Sequence, residues 1–131
     1  MRAQPLVLAF AWVLTGCAAA PPAPELPPAA PPNVNTQIGF RDPEALREHF
    51  SKHGREFGQI TQPQYLLMAQ TLRDSQADGK AILIAYRPDG VITKFDFSTG
   101  GFLAYNRDKV IRTFFKPNDG VRYFNRQKGR N

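Results

Sequence analysis

The chain has one cysteine, Cys17, and two histidines, His49 and His53. A single thiol forms no intrachain disulfide, so no oxidative crosslink shapes the fold. Two histidines, one cysteine and no clustered carboxylates argue against a transition-metal site. No glycine-rich loop precedes a candidate helix, which removes the usual phosphate cradle. No segment repeats. The apolar run from Pro5 to Leu14 is too short to cross a bilayer as a stable helix. The expectation is a small domain without a cofactor, whose chemistry rests on side-chain acids, bases and cations.

The 131 residues predict one small domain plus terminal additions. Arg2, the short apolar run and the small residues that follow have the layout of an export signal. Leu14-Thr15-Gly16-Cys17 resembles a bacterial lipobox, which implies a signal peptide over 1–16 and lipidation of Cys17. An ordinary signal peptide cleaved at the nearby alanines is the alternative. Lipidation accounts for an unpaired thiol in an exported protein, and each buried acyl methylene adds about 0.8 kcal/mol of membrane affinity. Ala18 after the cysteine resembles the outer-membrane sorting pattern of Gram-negative lipoproteins. Seven prolines lie between Pro21 and Pro32, so 17–35 reads as an extended polyproline tether.

The globular part is then 36–131. Its charge is uneven: Thr36 to Gly79 carries five basic and six acidic residues, Lys80 to Asn131 eleven and four. A basic half suggests a polyanion partner, nucleic acid or an anionic lipid surface, against the plain alternative of a solubilising surface.

Asp42-Pro43-Glu44 is a helix start, with Asp42 as cap and Pro43 in the first turn. Leu46, Phe50 and His53 share one face, and Gly54 is expected to stop the helix in the left-handed conformation. His49 is placed on another face and expected to be exposed. Thr61-Gln62-Pro63-Gln64 is a capping box opening a second helix that ends near Ser75. Four strands follow, Ala81 to Arg87, Val91 to Phe97, Phe102 to Asn106 and Val110 to Phe115, separated by turn sequences. A short fifth is read over Val121 to Phe124. The expected class is α+β, two N-terminal helices packed on one antiparallel sheet of four to five strands.

Alternation in the fourth strand puts Ile111, Thr113 and Phe115 on one face and Arg112, Phe114 and Lys116 on the other, unless a bulge rotates part of the run. RNA cleavage by its own 2′-hydroxyl needs a base, an acid and fixed positive charge on the phosphorane. His53 supplies an imidazole, the side-chain type suited to either proton step. Lys52 and Lys116 can bind phosphate, Arg87 is a further candidate for substrate binding, Arg112 can clamp phosphate bidentately, Thr113 can hydrogen-bond it, and Phe115 or Tyr123 can stack on a base. Each residue also has a bland reading: helix cap, solvated charge, strand former or core aromatic. Glu56 either orients the histidine or pairs with a basic neighbour.

His53-Gly54 with Glu56-Phe57-Gly58, Tyr65-Leu66 with Ala69, Arg87 with Asp89-Gly90, and Arg112-Thr113 with Phe115-Lys116-Pro117 stand in the order and spacing of the colicin D-like and contact-dependent inhibition ribonuclease toxins. These belong to the barnase–EndoU–colicin–RelE group. The chain resembles that family from His49 to Tyr123. The resemblance implies a metal-independent RNA endonuclease acting on tRNA and leaving a 2′,3′-cyclic phosphate. It implies His53 with Lys52 as the proton-transfer pair and Thr113 and Phe115 in the same site; a cognate immunity protein is then the expected partner. One departure is visible: Phe115 stands where colicin D carries tryptophan. A non-catalytic envelope lipoprotein that binds a polyanion or a protein is the competing class. A structural lipoprotein resting its cationic surface on anionic headgroups is the third.

Overall fold

A computed structural model describes residues 28–130, together with the isolated Ala3 and Gly16. The expected signal peptide, apart from Ala3 and Gly16, and Cys17 with the first part of the expected tether lie outside the described residues. No helix among the described residues is long and apolar enough to cross a membrane.

Helix α1 spans Pro43–His53. The Asp42 carboxylate caps it, accepting from the Ala45 N–H at 2.7 Å. Gly54 does not adopt the expected left-handed stop. It is right-handed at φ −56° and opens a 3₁₀ turn over Gly54–Phe57. The residue of positive φ is Gly58, which closes the 3₁₀ turn at φ 99° and ψ −161°. Gly54 is needed for space: a Cβ there would lie 2.5 Å from the Phe50 ring. Helix α2, Gln62–Asp74, starts at the expected capping box, with Thr61 and Gln64 satisfying each other's backbone N–H groups.

Four strands follow: β1 Ile82–Tyr86, β2 Ile92–Asp96, β3 Gly101–Tyr105 and β4 Ile111–Phe115. They form one antiparallel meander in the order β1-β2-β3-β4. The anticipated fifth strand is instead a helix, α3, Val121–Gln127. Val121, Tyr123 and Phe124 favour strands in isolation. The helix forms because its three-residue spacing buries both Phe124 and Gln127.

α3 overturns the expectation of helices before the sheet only. α1 and α2 cover one face of the sheet, where Leu103, Tyr105, Ile111 and Phe114 meet Tyr65, Ala69 and Leu72. The opposite face carries Val91, Phe95, Phe102 and Ala104, closed by Phe124, with Val121 and Tyr123 packed against them. The result is a three-layer α+β domain.

β4 departs from simple alternation. Thr113 pairs with Ala104 but Ile111 pairs with Tyr105, so Arg112 is the unmatched residue of a bulge. Ile111 and Phe114 therefore both face α2, while Thr113 and Phe115 face the α3 side with their partners Ala104 and Phe102. The grouping of Ile111 with Thr113 and Phe115 is wrong for this reason. The outer edge of β4 is covered at its start, where Ile111 donates to the Gly39 carbonyl at 2.9 Å beside the Phe40–Ile111 bridge.

Two buried cations hold the end of α2. Arg73 is paired with Asp74 and donates to the carbonyls of Asn35, Ile38 and Lys109. Ordered contacts thus reach back to Asn35, whose N–H also bonds Asp74. Lys94 reaches from β2 to the carbonyls of Leu72, Arg73 and Ser75 at 2.6–3.2 Å. It is only 4% exposed, so one charge of the basic half is internal.

Candidate functional site

Helix α1 ends against β4, and His53 is its last residue. The His53 Nδ1 lies 3.0 and 3.1 Å from the two carboxylate oxygens of Glu56. The 3₁₀ turn produces this pairing by bringing Glu56 back under the end of α1. A carboxylate only accepts, so Nδ1 carries the proton and Nε2 is left for other work. The side chains of His53 and Glu56 keep 18% and 30% of their exposure, a partly desolvated pair with an open side.

The His53 ring packs on Phe115, with centroids 5.2 Å apart. Phe115 meets Tyr123 of α3 edge-on at 5.2 Å, and Tyr123 meets Phe102 at 4.9 Å. The Arg126 guanidinium lies 5.7 Å from the Tyr123 ring centre. Imidazole, phenyl, phenol and guanidinium thus form one continuous strip from the end of α1 across β4 to α3.

His49 is not on a separate face. Four residues is one turn of helix, so its ring stands 6.4 Å from that of His53. It is half-buried against Phe40 at 4.9 Å, and its Nδ1 is 2.8 Å from the Ala45 carbonyl. That carbonyl only accepts, so the free nitrogen of His49 is also Nε2. The i,i+4 spacing was the signal that identifies it.

The other expected site residues divide. Phe115 and Tyr123 are at His53. Thr113 is on the same sheet face as Phe115, two residues up the strand, about 7 Å away. Lys52 is exposed beside His53. Lys116 follows Phe115 and lays its stem over Gly100, with its Cε 3.0 Å from where a Cβ of that glycine would be. Arg112 and Arg87 are elsewhere. Arg112 sits at the bulge near the opposite end of β4 and donates to Asn106 at 3.4 Å. Together with Pro88 to Val91 and Arg107 it lines a separate surface hollow. Arg87 is paired with Asp89 at 2.5 Å in the β1–β2 turn. Arg126, which reading the sequence did not single out, stands closer to the strip than either of them. Its position follows from α3 being a helix: Tyr123 and Arg126 are three residues apart.

Among the described residues no group of three or more His, Cys, Asp or Glu side chains gathers to hold a metal. An apolar groove lies between α2, β1 and the Pro28 to Pro31 segment, and its lining does not include His53, Phe115 or Tyr123.

No protein-family model matches the chain, and no curated protein matches it.

Proposed function

We propose that this domain cleaves RNA without a metal, by attack of the 2′-hydroxyl on the adjacent phosphodiester. The observation that carries the reading is His53, its Nδ1 held by Glu56 and its ring set against the Phe115–Tyr123 pair. His53 Nε2 takes or gives the proton, and Glu56 fixes the tautomer and stabilises the imidazolium formed on the way. His49, one turn back with its own free Nε2, is the group available for the second proton step. Phe115 and Tyr123 offer ring faces or edges to an unstacked base. Lys52 and Lys116 neutralise phosphates on either side, and Arg126, which pairs with the Asp119 carboxylate, adds positive charge at the α3 end. In this reading Thr113 positions the phosphate, and Arg112 and Arg87 contact the substrate further along.

The resemblance to colicin D-like toxins supports the same chemistry and a tRNA-type substrate. It also supplies the expectation of an acidic immunity protein that covers the strip. The lipobox-like Leu14 to Cys17 supports export and a lipid anchor on Cys17, with the outer membrane as the destination in a Gram-negative cell.

A second reading is favoured by one observation: Arg87 is engaged by Asp89, and Arg112 stands near the far end of β4. An envelope protein that binds a polyanion or a protein partner through its basic surface, without cutting it, needs no cations gathered at His53.

The two readings separate on a gel. The purified protein and His53→Ala are incubated with total tRNA in EDTA and resolved under denaturing conditions. Discrete fragments from the wild type alone support the nuclease. Intact RNA there, with salt-sensitive retardation by both proteins on a native gel, supports the binder.

A further inference from the structure

The outer edge of β1 is the least protected part of the sheet. β1 pairs only with β2, α2 packs on β2, β3 and β4, and α3 packs on β2. The strand reads Ile82-Leu83-Ile84-Ala85-Tyr86, with no charge and no proline, the two devices that natural edges use against pairing. Tyr86 is 72% exposed.

The hydrogen bonds show which backbone groups are open. Arg87 donates to Val91, and the Ala81 carbonyl accepts from Phe97. The odd-numbered residues of β1 therefore face β2, and Ile82, Ile84 and Tyr86 direct their N–H and C=O groups outward. At Ile82 both groups are already used: its N–H donates to the Asp78 carboxylate, and its carbonyl accepts from Gly79. That leaves the N–H and C=O of Ile84 and Tyr86, which have no partner among the described residues.

We infer that this edge pairs with the same edge of a second copy of the chain, antiparallel about Ala85. Only this centre uses all the open groups. Ile84 lies opposite Tyr86 of the second copy, and Tyr86 opposite its Ile84, so each pair exchanges two hydrogen bonds. A pairing centred on Ile84 would set Tyr86 against the occupied Ile82. The Ala85 centre also places each Tyr86 ring beside an Ile84 side chain, an aromatic–β-branched pair made twice. Alanine, the smallest side chain of the strand, falls on the axis, at a non-hydrogen-bonded position where side chains come closest. Beyond the paired residues, Lys80 of each copy comes beside the turn that carries Asp89 of the other. The Asp78–Gly79 turn ends the pairing, and Gly39 and Phe40 partly cover the opposite edge at β4, so the contact closes as a two-fold dimer with one eight-stranded sheet.

Site-specific crosslinking and mass measurement on the full chain test this, with Cys17→Ser so that no other thiol is present. Ala85→Cys in that background should form a disulfide-linked dimer on mild oxidation, because opposed positions of this kind have Cα atoms about 4.5 Å apart, within disulfide range. Ser98→Cys, on an exposed turn away from β1, should not. Sedimentation equilibrium in mild detergent should show the mass double as concentration rises. Tyr86→Pro removes an outward N–H without touching the β1–β2 ladder and should keep the protein monomeric with an unchanged circular dichroism spectrum. A folded protein that stays monomeric and gives no Ala85→Cys crosslink overturns the proposal. So does a Tyr86→Pro variant that still dimerises.

Discussion

The Tyr65 hydroxyl donates to the carbonyl of Phe114. Tyr65 is wholly buried, with Phe50, Phe57 and Phe114 around its ring. This contact fixes β4 against α2 immediately before Phe115, the residue that carries the His53 ring. Burial pushes the phenol well above its usual titration range, so it stays a donor. Tyr65→Phe leaves a buried carbonyl without its partner and should cost about 1–3 kcal/mol in urea unfolding.

Gly54 and Gly58 flank the 3₁₀ turn and should fail differently when changed to alanine. At Gly54 the added carbon strikes the Phe50 ring, a case of overpacking that should cost roughly 1–3 kcal/mol. At Gly58 there is open space but φ is 99° with ψ −161°, so only backbone strain of about 1–3 kcal/mol applies. The first variant should also perturb the His53–Glu56 pair, visible as a changed imidazole shift by NMR, while the second leaves that pair nearer its native geometry.

On the nuclease reading, His53→Ala should lower RNA cleavage by about 10²–10⁴-fold, the contribution of a proton-transfer group. Glu56→Gln keeps the size of the side chain and loses its charge, and should give a smaller loss. His49→Gln should lower cleavage without loss of RNA affinity. Initial rates and filter binding on the same preparations separate the two effects.

Asp74 supplies a pH dependence whose sign is fixed. Burial pushes its carboxyl up, but hydrogen bonds from Arg73 and the Asn35 N–H, with the charges of Arg73 and Lys109, bring it below the ordinary value. The folded state therefore holds this proton less tightly than the unfolded chain does. The resulting stability is present above about pH 4 and is lost as the pH falls through the lower, folded value. Asp74→Asn should be less stable than wild type at pH 7. The gap should narrow steadily below pH 4, as read by thermal unfolding across the series.

Lys94→Met should be destabilising even though it removes a buried charge. Burial holds the Lys94 pKa below its ordinary value, yet the ammonium satisfies three carbonyls at the end of α2. Without it these groups are left unsatisfied, at a cost of about 1–3 kcal/mol. Hydrogen exchange should speed up in the last turn of α2 and in Asn35 to Gly39 rather than uniformly.

Local chemistry was legible in the sequence. Asp42, Pro43 and the Thr61–Gln64 box announce both helix starts, and Pro88-Asp89-Gly90 and Ser98-Thr99-Gly100 announce the hairpins to within a residue or two. What escaped depends on partners distant in the chain. Val121 to Phe124 has strand-forming residues, and only the uncovered second face of the sheet makes it a helix. The bulge at Arg112 is set by pairing to Ala104 and Tyr105, which alternation within β4 does not encode. Arg73 and Lys94 look like surface cations until the carbonyls they satisfy are seen. His49 is a different case, since its spacing from His53 already put both imidazoles on one side of α1. Of the expected site, His53, Phe115 and Tyr123 come together as a cluster, whereas Arg87 and Arg112 were grouped with them by motif order and are separated by the length of a strand.

The bulge makes one residue of β4 expendable and the rest not. Because Arg112 has no partner across the ladder, excising it would leave a regular strand in which Ile111, Thr113, Phe114 and Phe115 keep the neighbours they have now. Excising Thr113 or Phe114 would change which residues stand opposite β3, turning an aromatic that belongs under α2 toward α3 or the reverse. Single-residue deletions along these five positions should therefore give one tolerated gap, at Arg112, surrounded by lethal ones, a pattern that substitution scanning would not reveal.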